Sequence, residues 1–159
     1  MLEKDISIRN TSLTPKDLLE IRKALLDLHN LEIMAVNVYR CQISDRFPDL
    51  KKSLIGAMRN EMVHVEDFQV KLFEYGLRPV WYRWIFWMVG WIIGTGSKIM
   101  GKKTILRAGV WTETRAVNHY SELLKCAPWD EETLEVIKRN MGDEAEHLEH
   151  WEVLLERLQ

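Results

Sequence analysis

Cysteine is scarce in this chain. Its 159 residues include only Cys41 and Cys126, far apart and outside any Cys-x-x-Cys pair. That excludes a zinc ribbon, a rubredoxin-type iron site and a disulfide framework, and it leads to the expectation of a reduced, cytoplasmic compartment. Proline is scarce too: Pro15, Pro48, Pro79 and Pro128 stand at the edges of periodic segments and leave their interiors unbroken. No stretch alternates apolar and polar residues as a half-buried strand would. Neither sign of charge dominates, with 22 Lys and Arg against 24 Asp and Glu. The basic residues are scattered, with no basic arm, so composition offers no electrostatic case for nucleic-acid binding. Met1 to Pro15 has no apolar run, so no signal peptide is expected, and Glu3 and Asp5 are unlike a mitochondrial transit peptide. The longest uncharged run, Trp84 to Ser97, is shorter than the ~20 residues a spanning helix needs. No transmembrane segment is expected.

What the chain does have is apolar residues spaced by three and four. Thr14 followed by Pro15 is an N-cap with proline at the first helical position. From there Leu18, Ile21, Leu25, Leu28, Glu32, Val36 and Tyr39 form one stripe, predicting a helix over 15–44. Pro48 opens a second helix with the stripe Leu50, Leu54, Ala57, Glu61, His64, Phe68, Leu72 and Tyr75, stopped at Gly76. A tryptophan-rich segment reads as helical from Pro79 to about Met100, with Gly94, Gly96 and Gly101 loosening its end. A fourth helix begins at Lys102 or Lys103, carries Leu106, Val110, Glu113, Val117, Tyr120 and Leu124, and ends before Pro128. Asp130 can cap a fifth, striped by Leu134, Ile137, Met141, Glu144, Leu148, Trp151 and Leu155. The expected class is all-α: a single domain over 1–159, with residues 1–14 as an N-terminal extension.

Glu-x-x-His occurs twice, as Glu61 to His64 and as Glu144 to His147. Each copy follows an upstream glutamate on another helix, Glu32 and Glu113. All four glutamates fall on apolar stripes. A lone carboxylate in a core costs several kcal/mol or titrates to neutrality, and four facing one another would repel. Two divalent cations balance them, and each histidine shares a helix face with the glutamate three residues before it. The order Glu, Glu-x-x-His, Glu, Glu-x-x-His is the ligand set of a ferritin-like four-helix bundle holding two metals, and the tryptophan segment would be the crossover between its helix pairs. Oxygen-rich donors with one imidazole per metal suit iron or manganese better than structural zinc.

A single Glu-x-x-His is weak, because both residues are common on solvated helix faces. The doubling and the stripe positions put the metal reading ahead. Glu146, Glu149 and Glu152 read as surface acids, and His29 and His150 as surface or flanking histidines. Asp143 is either a surface residue or a hydrogen-bond partner of a ligand histidine. Tyr120 lies two turns beyond Glu113, and on spacing alone it is a packed core tyrosine.

With these residues in view, the chain resembles the demethoxyubiquinone hydroxylase family of ferritin-like di-iron monooxygenases, over about Leu28 to Trp151. The resemblance rests on both Glu-x-x-His motifs, on Glu32 with Tyr39, Arg40 and Gln42, and on Trp91 to Ser97 followed by Met100-Gly101-Lys102. It also rests on Val110 to Tyr120. Where the family usually has Asp-His-Ala-Gly, this chain has Leu28-His29-Asn30-Leu31, and it is shorter at its C-terminus. The resemblance implies two iron ions, with manganese as the alternative, held by Glu32, Glu61, His64, Glu113, Glu144 and His147. It implies O₂ as co-substrate and hydroxylation of a hydrophobic, quinone-like aromatic. It also implies that His119 and Tyr120 stand just outside the ligands.

Trp81, Trp84, Trp87 and Trp91 line one helical face, with Arg78 and Arg83 before them and Lys98, Lys102 and Lys103 after. Such a face fits peripheral contact with the inner side of a membrane; a homodimer interface or packing on the bundle is the alternative. Two other functions compete: a ferritin-like protein that oxidises iron or scavenges peroxide without an organic substrate, and a helical membrane adaptor with no metal.

Overall fold

The computed structural model describes residues 8–9 and 13–158. Its elements are α1 (Pro15–Gln42), α2 (Pro48–Glu74), a 3₁₀ turn (Trp81–Arg83), α3 (Trp84–Met100), α4 (Lys102–Leu123) and α5 (Glu131–Glu156), with no strand among the described residues. No helix is long and apolar enough to cross a membrane.

The helix ends follow local chemistry. The Thr14 hydroxyl accepts from the Asp17 amide at 3.1 Å, and the Asp130 carboxylate accepts from the Thr133 amide at 3.0 Å, each satisfying a first-turn donor. Gly76, at φ 71°, ends the turn after α2, and Gly101, at φ 105°, separates α3 from α4. Two boundaries differ from the sequence expectation. The tryptophan helix starts at Trp84, after the 3₁₀ turn, and runs unbroken through Gly94 and Gly96. Helix α1 stops two residues early. Helix α4 ends at Leu123, before Pro128 as expected, and the Trp129 indole N–H caps the Leu123 carbonyl at 3.1 Å.

Helix α1 packs against α2, α3 and α4, α5 packs against α4 and α2, and α3 also touches α4. Cross-helix partners fix the directions. Tyr39 reaches Glu113 while Tyr120 reaches Glu32, so α1 and α4 are antiparallel. Asp143 reaches His64 while Arg139 reaches Asp67, so α2 and α5 are antiparallel. Gly90 lies on Met34 and Gly94 on Val38, so α3 runs parallel to α1.

Two apolar layers result. Ile21, Leu25, Leu28, Phe68, Leu72, Tyr120 and Ile137 belong to one. Tyr39, Leu50, Leu54, Leu106 and Trp151 belong to the other. On each of α1, α2, α4 and α5 the predicted metal ligands fall between the residues given to the two layers. Beyond the first layer, Arg9 pairs with Glu74 at 3.0 Å, with Asp130 at 2.5 Å and with Glu132. Lys71 joins Glu74 and Glu132 at 2.8 and 2.6 Å.

The α1–α3 seam depends on two glycines. A Cβ on Gly94 would sit 2.4 Å from the Val38 carbonyl oxygen, and one on Gly90 2.2 Å from that of Met34. A Cβ on Gly96 would meet nothing within 4 Å. The helix-propensity gain of Gly→Ala is about 1 kcal/mol at either place, but at Gly94 forced separation of the helices outweighs it. Gly94→Ala is therefore expected to lower stability by about 1–3 kcal/mol, and Gly96→Ala to raise it by up to about 1 kcal/mol. Urea denaturation of the two variants checks the contrast.

Candidate metal centre

Each predicted ligand reaches the same interior space from its own helix: Glu32 from α1, Glu61 and His64 from α2, Glu113 from α4, and Glu144 and His147 from α5. The four glutamates and His64 are buried, and His147 is half-buried. Their donor atoms form two sets, Glu32, Glu61, His64 and Glu144, and Glu61, Glu113, Glu144 and His147; within each, one atom per residue lies within 4.8 Å of the others. Glu61 and Glu144 belong to both sets. His64 Nδ1 stands 2.9 Å from Glu144, 3.5 Å from Glu61 and 3.9 Å from Glu32. His147 Nδ1 stands 3.2 Å from Glu61 and 3.7 Å from Glu113.

The donor set fits two divalent cations on the structure's own terms. Both oxygens of Glu61, Oε2 of Glu113, Oε1 of Glu144 and Nδ1 of both histidines are buried and make no hydrogen bond. Buried polar atoms normally have partners, and here six without them share one space. Without metal the charges are forced apart. Burial, and then the neighbouring Glu61 charge, push Glu113 and Glu144 well above the carboxylate range, and Glu32 rises for the same reasons. Burial also opposes ionisation of Glu61, but the attraction of the nearby His147 and His64 rings, at 3.2 and 3.5 Å, outweighs it and holds Glu61 at about 2. Burial alone would lower His64, yet Glu61 and Glu32 push it up to about 9. One charge is thus shared among groups that two cations could ionise together.

Two tyrosines brace the outer carboxylates across the α1–α4 seam. Tyr120 donates to Glu32 Oε1 at 2.5 Å, and Tyr39 donates to Glu113 Oε1. Each lies seven residues after the glutamate of its own helix and bonds to the glutamate of the other. The Trp151 indole N–H donates to the Tyr39 hydroxyl at 3.1 Å, with the rings stacked at 5.6 Å. Gly109 makes room for that indole, since a Cβ there would lie 2.9 Å from the ring. Burial, with the nearby carboxylates, holds both phenols far above their ordinary range, so they remain proton donors.

His119 takes a different place. It lines an open cleft of ≈ 550 Å³ with Asp27, Met34, Phe86, Arg115 and Asn118, and it makes no hydrogen bond to a ligand among the described residues. Asp143, half-buried, accepts from His64 Nε2 at 3.1 Å. Glu146, Glu149 and Glu152 are exposed. His150 is exposed and bonds Ser53 at 2.9 Å. His29, read as a surface or flanking histidine, is fully buried, which rules out the surface place. Burial and the Arg83 charge lower it to about 4; Gln69 approaches and favours the charged form, but neither ring nitrogen reaches hydrogen-bond geometry. Sequence reasoning also missed Asn140, whose buried amide has no partner one turn before Glu144. The only available signal was its place on the inward arc of α5. Tyr39 had a clearer one, the same seven-residue spacing that singles out Tyr120.

The sequence profile of the family described as COQ7, ubiquinone biosynthesis protein, matches residues 24–152. The chain belongs to this family. The COQ7 match spans all six ligand candidates, both tyrosines, Asp143 and the whole of α3. The "NADPH-dependent 3-demethoxyubiquinone 3-hydroxylase, mitochondrial" of Dictyostelium discoideum is 29% identical over 154 residues, which cover 87% of this chain and 71% of that protein. The "3-demethoxyubiquinol 3-hydroxylase" of Janthinobacterium sp. (strain Marseille) is 29% identical over 121 residues, 75% of this chain and 58% of that protein.

A carboxylate kept in a core for metal binding costs stability when metal is absent. Glu144→Leu is expected to make the metal-free protein more stable by about 1 kcal/mol or more. Saturating Fe(II) or Mn(II) should raise the melting temperature of the wild type and leave that of Glu144→Leu nearly unchanged. Anaerobic thermal denaturation with and without metal reads both.

Proposed function

We propose that the chain is a di-iron carboxylate monooxygenase that uses O₂ to hydroxylate a hydrophobic, quinone-like aromatic; the names of its relatives describe hydroxylation of demethoxyubiquinone or demethoxyubiquinol. In this reading α1, α2, α4 and α5 are the ferritin-like four-helix bundle of a single domain, and α3 is the crossover. The supporting observation is the pair of four-residue donor sets that share Glu61 and Glu144. Those two glutamates would serve both metal positions. Glu32 with His64, and Glu113 with His147, would each complete one metal position. Iron is favoured over manganese by the family, since the donors suit either.

When bound, the two iron ions would supply the Lewis acidity and electrons for O₂ chemistry. The chain's own groups do the rest. The Tyr120 and Tyr39 hydroxyls hold Glu32 and Glu113 in orientation, and Trp151 holds Tyr39. The apolar layers on either side of the acids exclude bulk water, so competing hydrolysis and proton leakage are suppressed. The cleft lined by Met34, Phe86 and His119 lies between α1, α3 and α4, and we assign it to the approach of a substrate or reductant.

Trp81, Trp84, Trp87 and Trp91 are all exposed, as are Ile85, Met88, Val89, Ile92, Ile99 and Met100. An apolar surface of this extent marks an interaction site. We assign it to peripheral contact with the cytoplasmic face of a membrane holding the substrate; a homodimer is the other occupant it fits.

Metal-free protein loaded anaerobically with Fe(II) and exposed to O₂ with a demethoxy-quinone analogue and a reductant is expected to yield hydroxylated quinone, detected by mass spectrometry. Glu61→Gln should abolish the product. Iron oxidation with no hydroxylation would instead establish the ferritin-like alternative. For the membrane reading, the protein should pellet with anionic vesicles, and Trp84→Ser with Trp91→Ser should leave it in the supernatant. A wild type that stays in the supernatant ends that assignment.

A further inference from the structure

The two donor sets are chemically alike, with three carboxylates and one imidazole each, but their surroundings are not. His64 Nε2 lies 3.1 Å from Asp143 Oδ2. A carboxylate oxygen accepts, so Nε2 keeps its proton, and Nδ1, which faces the cluster, is the nitrogen left to take a metal once its own proton has gone. Asn60 Nδ2 donates to the same oxygen at 3.3 Å and steadies it. At the other set, both carboxylate contacts of His147 are made through Nδ1, and no carboxylate pairs with its Nε2 among the described residues. By chain position the counterpart of Asp143 is Asn60, since each immediately precedes the glutamate of a Glu-x-x-His motif. One half of the repeat therefore has a carboxylate where the other has a neutral amide. Exposure differs in the same sense: the His64 side chain is 1% accessible and that of His147 18%.

We infer that the two metal positions are inequivalent, that the position of Glu32, Glu61, His64 and Glu144 fills first, and that Asp143 is the positioning residue that makes it so. This rests on the reading of the cluster as a two-metal centre. The anchored imidazole has one ring orientation before metal arrives, with Nε2 committed to Asp143, so less is lost on binding, and its donation to the metal is strengthened. The His147 ring has no such anchor and is nearer water, so its position binds more weakly. The centre would pass through a state with one metal at low metal concentration.

The test is anaerobic titration of metal-free full-length protein with Mn(II), followed by calorimetry and by electron paramagnetic resonance, which separates single ions from coupled pairs. The wild type should show two resolved steps, with a single-ion signal that gives way to a coupled one. Asp143→Asn keeps the shape and should weaken the tighter step by roughly 10–100-fold, leave the weaker step unchanged and merge the two. Asp67→Asn is the control for the α2–α5 seam: it breaks the 2.6 Å pair with Arg139 and should alter neither step. Two ions that bind in a single unresolved step would overturn the inequivalence alone; two steps unmoved by Asp143→Asn, or a loss confined to the weaker step, would overturn the role of Asp143. Equal weakening by Asp67→Asn would overturn the positioning role. A protein that binds no Mn(II) or Fe(II) would overturn the two-metal reading itself.

Discussion

Charge in an apolar interior needs a partner, and Glu32, Glu61, Glu113 and Glu144 are buried together in one layer with only two imidazoles to answer them. Without metal, three of the carboxylates are pushed far above their usual range so that Glu61 can stay ionised. This layer organises the helices around it. Apolar residues close it on both sides, one set centred on Leu25, Phe68 and Ile137 and the other on Tyr39, Leu106 and Trp151. Low dielectric on both sides makes the carboxylates costly without cations and strengthens their hold on cations once bound.

The layer has an internal two-fold likeness that reaches beyond the ligands. Glu32 with Tyr39 repeats as Glu113 with Tyr120, and each phenol crosses to the carboxylate of the opposite helix. That exchange ties α1 to α4 through the site itself. The likeness breaks at Asn60 and Asp143, where an amide on α2 corresponds to a carboxylate on α5. In the two-metal reading, a repeat that diverges at one such pair would give two ions of the same kind different environments.

Helix α3 faces two ways. Gly90 and Gly94 let its backbone approach α1 closely, and Ser97 bonds Gln42 at 2.9 Å on the same side. Its tryptophans, all exposed, lie on the remainder. The Arg40 guanidinium sits over the Trp87 ring at 5.5 Å, so the tryptophan face begins at the α1 seam. Close packing on one side and broad apolar exposure on the other suit a helix that joins a folded core to another surface.

The helices and the six ligand candidates were legible in the sequence because both signals are periodic. Apolar residues repeat with the helical turn, and glutamate at leucine positions is conspicuous against that repeat. Helix starts at Thr14 and Asp130 were legible from capping chemistry, which is local. The sequence could not reveal which residues of different helices would meet. The Tyr39 to Glu113 bond, the indole of Trp151 over Gly109 and the burial of His29 all depend on helix rotation and depth. So does the carboxylate that His64 finds in Asp143 and that His147 does not find. The Tyr39–Glu113 and His64–Asp143 contacts join residues 74 and 79 positions apart. Spacing along one helix says which residues share a face, but only packing between helices decides what that face touches.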